Sequence, residues 1–164
     1  MALATVVNNF DQDSPGVNIM PPKVFYTCLI LGAILEFIIP TNLPFLAKPL
    51  RIFFGLGLAT AGFTFMMLAH EKFKRIGTNV RTNLPSTTLV VHGAYRFSRN
   101  PMYVGGSAFF LGIGLAVGSF WMMVSYLPLW LYLSLYVIPR EEVYMYRRYG
   151  DAYKTYSQQV RRWL

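Results

Sequence analysis

One stretch limits what this chain can fold into more than any other. From Asn100 to Pro139, 40 consecutive residues contain no Asp, Glu, Lys or Arg. As a single helix they would extend about 60 Å, twice a hydrocarbon core of about 30 Å. Two crossings joined by a tight turn fit that length, and Gly118-Ser119 lies near the middle, where the turn belongs. Ile52 to Ala69 is a second uncharged run. Val24 to Ala47 is a third, broken only by Glu36 and carrying Pro40 and Pro44, so its crossing reads as about Val24 to Ile39. Only 13% of all residues are charged, about half the usual soluble share of roughly 25%. The pattern predicts an all-α polytopic membrane protein, with four transmembrane helices near 24–39, 52–69, 101–118 and 120–138 and a C-terminal interfacial helix.

Four crossings place the termini and the segment 70–101 on one side. Thirteen of the 15 Lys and Arg fall there: Lys23, six from Lys72 to Arg99, and six from Arg140 to Arg162. Only Lys48 and Arg51 fall on the other side. The positive-inside rule makes the crowded side cytoplasmic. The net charge of +8 reflects this bias and an affinity for anionic headgroups; no soluble basic domain exists to bind nucleic acid. The tail 1–22 has Asp11 and Asp13 and no basic n-region, so it does not read as a secretory signal. Its Asn, Asp, Pro and Gly predict a loosely ordered tail ahead of a single domain over 23–164.

Gly77-Thr78-Asn79 and Leu84-Pro85-Ser86 are turn signals before the hairpin. After it, Tyr149, Tyr153, Tyr156, Val160 and Trp163 form one helical stripe, which reads as an interfacial helix with a tyrosine belt. Gly150-Asp151 offers a stop and a fresh start. A stretch running from His92 to Gly105 sets a His, two Arg, an Asn and two Tyr just before the hairpin, and Glu141-Glu142 follow it directly. A hairpin that leaves at Pro101 and returns at Pro139 brings these ends to one membrane face. Charges at that depth are costly unless paired or functional. On the residues alone, an ion pair of Arg99 with Glu141 or Glu142 that merely clamps the hairpin and a binding site account for them equally well.

The ordered set Gly-x-Tyr-Arg-x-x-Arg-Asn-Pro-Met-Tyr-x-Gly, a long apolar hairpin, Glu-Glu and Tyr-Gly-x-x-Tyr-x-x-Tyr resembles the isoprenylcysteine carboxyl methyltransferase family. Phospholipid N-methyltransferases and bacterial thiol methyltransferases share the broad pattern. The resemblance covers about 77–163, and it implies S-adenosylmethionine as cofactor, held between segments near 77–101 and 140–163. It implies contacts from His92, Gly93 and Tyr95, an amino-acid end lined by Arg99, Asn100 and Tyr103, and Glu141 and Glu142 at the ammonium and ribose side. Pro101, Tyr149 and Tyr153 complete the implied cofactor-binding set, and Arg99 and Glu142 form the candidate catalytic pair. The family usually has His where Asn100 stands. Asn hydrogen-bonds a carboxylate but carries no proton, which loosens the link to prenylcysteine and leaves cofactor binding intact. The acceptor is expected to be lipophilic or membrane-partitioned, with oxygen, nitrogen and sulfur all open. The implied location is the cytoplasmic face of a bacterial inner membrane, or of the ER membrane in a eukaryote.

Two other classes remain open: an NADPH-dependent membrane reductase, through a related C-terminal region in sterol reductases, and a non-enzymatic membrane adaptor. Gly55-Leu-Gly57 and Gly112-Ile-Gly114 with Gly118 lie inside crossings and read as helix-packing positions, not nucleotide loops. His70 and His92 without cysteine partners make no metal site, and the lone Cys28 reads as a packing residue. Pro128 predicts a kink in the last crossing. Glu36, remote from the cytoplasmic side, reads as a structural or far-side residue, paired across the bundle or snorkelling to the far surface, ahead of a substrate contact.

Overall fold

The computed structural model describes residues 14–41, 46–77 and 86–164, which are helical and contain no strand. Helices α1 (Pro21–Ile38), α2 (Lys48–Ile76) and α3 (Pro101–Val117) each carry proline in the first turn, where a missing N–H forfeits no bond. Helix α4 (Phe120–Tyr132) passes through a π turn, Leu133–Val137, into α5 (Ile138–Tyr149). Helix α6 (Asp151–Gln159) follows, and a 3-10 turn, Gly93–Arg96, precedes α3. By length and composition, α1, α2 and the continuous helix Phe120–Tyr149 suit a membrane crossing; α3 is apolar and 17 residues long. Phe37, Phe53 and Leu135 are 88, 72 and 72% exposed on outward faces, as lipid-facing side chains are. Helices apolar on all sides belong in a bilayer, so the chain is an all-α polytopic membrane protein.

Two details differ from the sequence reading. The helix that begins at Phe120 does not end at residue 138: it runs on to Tyr149. The ring of Pro139 would meet the carbonyl four residues back in a regular helix, and the wider π turn just before it gives room. Pro128 lies inside the α-helix Phe120–Tyr132, and the irregular turn comes after it, at Leu133–Val137. Second, the C-terminal stripe is not one helix to Trp163. Val160 is extended, and residues 160–164 turn back because Arg99 N and Asn100 Nδ2 donate to the carbonyls of Arg161 and Arg162, each at 2.9 Å. Residues 1–13 of the tail, and the signals at Thr78-Asn79 and Leu84-Pro85, lie outside the described residues. Of the rest of the tail, Val17 is 4% exposed, and Ile19 O accepts from the Tyr132 hydroxyl at 2.5 Å.

Small residues set the packing. A Cβ on Gly55 would strike the backbone of Ala116, one on Gly62 would meet Gly105 O at 2.6 Å, and one on Gly112 would strike Ala59. These contacts run in opposite order along α2 and α3, so the two helices are antiparallel with backbones in close approach. Helix α1 packs antiparallel on α4, with Cys28 in the shared core and Gly32 against Met122 and Ser125. Among the described residues α1 and α2 barely touch. Gly118, at φ 78°, makes the hairpin turn in the left-handed region open to glycine, and Ser119 caps α4 through Met122 N at 3.1 Å. Glu36 closes this end: it accepts from the Ser119 hydroxyl at 2.5 Å and from Thr41 N and Oγ1 at 2.7 and 2.6 Å. Trp121 Nε1 adds a bond to Ile39 O at 2.9 Å.

Overpacking a tight core costs about 1–3 kcal/mol, more where backbone is in the way. Gly112→Val and Gly62→Val should therefore lower the melting temperature in detergent sharply. Gly57→Val should not, because nothing lies within 4 Å of a Cβ there. Equal melts for all three variants would refute the close approach of α2 and α3.

Candidate functional site

The returning hairpin does bring its two ends together. Arg99 Nη1 lies 3.1 Å from Glu142 Oε1. One turn into α3, the Tyr103 hydroxyl donates to Glu141 Oε1 at 2.7 Å. Arg99 Nη1 also reaches the Tyr153 hydroxyl on α6, at 3.4 Å. The sequence reading did not anticipate Arg162. Its Nε and Nη2 donate to Glu142 Oε1 and Oε2 at 3.0 and 2.6 Å, so Glu142 sits between two guanidiniums. This bonded carboxylate holds the Arg162 guanidinium above its ordinary value. Arg99 Nε is buried and has no hydrogen-bond partner among the described residues.

These groups form the polar end of a cavity of about 970 Å³. Tyr95, Arg99, Asn100, Tyr103, Glu141, Glu142 and Tyr153 all line it. The space continues between α1 and α2, where Phe25, Phe63, Met66 and Phe109 make it apolar. Gly106 and Ser107, one turn beyond Tyr103, contribute wall there, and a Cβ on Gly106 would meet only Met66 Sδ, at 3.8 Å. The Ser107 hydroxyl is buried, with the Tyr126 side chain beside it. His70 stands on the α2 wall.

Four of the anticipated residues are not on this wall. His92 and Gly93 are exposed. Pro101 is fully buried as the first residue of α3. The Tyr149 hydroxyl bonds the Ser86 hydroxyl at 2.9 Å. Asn100 lines the cavity, yet its amide nitrogen is already given to Arg162 O. The tyrosines of α6 are less of an interfacial belt than the stripe suggested. Tyr153 and Tyr156 are buried with Tyr95, Ala69 and Val90, and the Tyr156 hydroxyl donates to Tyr95 O at 2.7 Å. Burial keeps the hydroxyls of Tyr95 and Tyr156 above the ordinary tyrosine range. It does the same for Tyr153 against the opposing pull of Arg99. All three hydroxyls therefore stay neutral at physiological pH. Among the described residues no group of three His, Cys, Asp or Glu is placed to hold a metal ion.

Residues 50–152 match the family model for phospholipid methyltransferase. A protein-S-isoprenylcysteine O-methyltransferase from Schizosaccharomyces pombe is 32% identical over 96 residues, which is 58% of this chain and 39% of that protein. The chain therefore matches well under half the length of that curated relative. No solved structure matches.

A buried carboxylate that loses its donor costs about 1–3 kcal/mol. Tyr103→Phe removes the hydroxyl bonded to Glu141 and should destabilise the protein by that amount, read as a lower melting temperature. Tyr126→Phe, on α4 away from this polar end, should cost less. The reverse ranking would argue against the Tyr103–Glu141 bond.

Proposed function

Since the chain belongs to the phospholipid methyltransferase family, we propose that it is an integral-membrane methyltransferase that uses S-adenosylmethionine and acts on a lipophilic acceptor. One observation carries the reading: an acid–base cluster, Arg99 with Glu141 and Glu142, forms the polar end of a cavity whose other end is apolar and lies between two loosely associated helices. A clamp alone would leave no such space. Ligand cavities run from about 300 to 1,000 Å³, so this one takes a nucleoside cofactor together with the head of an acceptor.

The donor set fits the cofactor. Its amino-acid end carries a carboxylate and an ammonium. The Arg99 guanidinium suits the first, and Glu141, which accepts from the neutral Tyr103 hydroxyl, suits the second. Bound there, S-adenosylmethionine supplies a methyl group on a sulfonium, open to in-line displacement. The apolar walls of Phe25, Phe63, Met66 and Phe109 exclude water from the acceptor's path and match a hydrocarbon chain. Alignment matters more to such a transfer than acid–base help. Neutral tyrosines around the site favour an acceptor that is already nucleophilic, such as a carboxylate or thiolate, and a phospholipid amine remains the alternative. With 13 of 15 basic residues on its side, we place the site on the cytoplasmic face.

Isothermal titration of the purified chain with S-adenosylhomocysteine should show binding. Arg99→Ala and Glu142→Ala should weaken it by about 10- to 100-fold, the worth of a charged hydrogen bond. No binding by the wild-type chain in either detergent or lipid would end the proposal. Gly106→Leu should fill the acceptor's part of the cavity, leave that affinity within about threefold, and cut methyl incorporation into membrane extracts by tenfold or more. Mass spectrometry of extracts incubated with methyl-labelled cofactor reads both the loss and the acceptor.

A further inference from the structure

Glu142 is paired more heavily than contact with a ligand alone demands. Both its oxygens are taken by the fork of Arg162, at 3.0 and 2.6 Å, and one also holds Arg99. Arg162 lies beyond the last helix and does not line the cavity, whereas Arg99 and Glu142 do. Its segment is tied down on its own account. Arg99 N donates to Arg161 O, Asn100 Nδ2 donates to Arg162 O, and Trp163 packs against the core that holds Val17, Val137 and Ile138. Arg99 and Asn100 thus grip the same final segment whose Arg162 side chain grips Glu142.

We propose that Arg162 is a positioning residue for the cofactor's amino-acid end. It occupies the Glu142 fork, so that Arg99, which lines the cavity, meets this carboxylate through Nη1 only. Two effects follow from its removal. Glu142 becomes free to take the whole Arg99 fork, since arginine and carboxylate prefer two parallel bonds, and the Arg99 guanidinium is drawn onto Glu142 and away from the ligand. The triad Arg99–Glu142–Arg162 also falls from one net positive charge to none, which weakens the pull on a carboxylate. The nucleoside end of the ligand feels neither change. The inference rests on the proposed cofactor site, and its test separates the two.

The test is titration of the full chain in lipid nanodiscs with two probes. S-Adenosylhomocysteine carries the amino-acid end; 5′-methylthioadenosine lacks it. Arg162→Ala should weaken the first by about tenfold or more and leave the second within twofold, and Arg162→Lys should recover part of the loss. Gly32→Ala serves as a stability control. Its new methyl strikes Ser125 and Met122 on the far half of the bundle, so it should lower the melting temperature and leave both affinities intact. Unchanged S-adenosylhomocysteine affinity in Arg162→Ala overturns the inference and spares the cofactor reading. An equal loss for both probes, or the same loss in Gly32→Ala, reduces Arg162 to a structural clamp and overturns it too. Failure of the wild-type chain to bind S-adenosylhomocysteine removes both.

Discussion

The ion pair between Arg99 and Glu142 depends on a hairpin that has no charge of its own. Lipid offers no partner to a backbone N–H or C=O, so residues 101–138 have to be helical nearly throughout and have to turn within a residue or two. That obligation fixes where the hairpin ends return. Arg99 and Glu142 are 43 positions apart in sequence, yet the covalent geometry of two helices and one glycine turn sets them 3.1 Å apart. The close backbone contact of α2 with α3 through Gly62, Gly105 and Gly112 then keeps α3 from rotating its polar end away. Partners for charged groups at this depth are obligatory, because an unpaired charge there costs several kcal/mol.

Much of this was legible in the sequence, for a physical reason. Long uncharged runs report apolar helices directly. Seven of the eleven residues singled out, from Tyr95 to Tyr153, line the cavity. Those that do not are instructive. His92 precedes and Gly93 opens a 3-10 turn whose Tyr95 faces inward, and no period of three or four residues tells which neighbour does so. Tyr149 and Tyr153 share the stripe, but Gly150 breaks it between them, and only the second stays on the cavity side.

Arg162 was the larger omission. A helical stripe continued to Trp163 assigns the last residues to an exposed helix, where an arginine is unremarkable. The chain instead leaves the helix at Val160 because carbonyls of the final residues find donors on the segment 99–100. Hydrogen bonds between backbone and a distant loop have no periodicity, so sequence pattern carries no trace of them. Glu36 illustrates the converse. A lone acid in an apolar run signals a partner at the far side, and Ser119, Thr41 and the hairpin turn supply it.

The lining of the cavity stops at Phe63 on α2 and Phe109 on α3, and past that depth the bundle is knitted shut around Glu36, Ser119 and Trp121. The lining is therefore confined to the half of the bundle that holds Arg99 and Glu142. Under the proposed function, a lipid chain that entered sideways would have no exit ahead of it and would withdraw along its own track. On that reading the chemistry would change the acceptor without carrying it across the membrane.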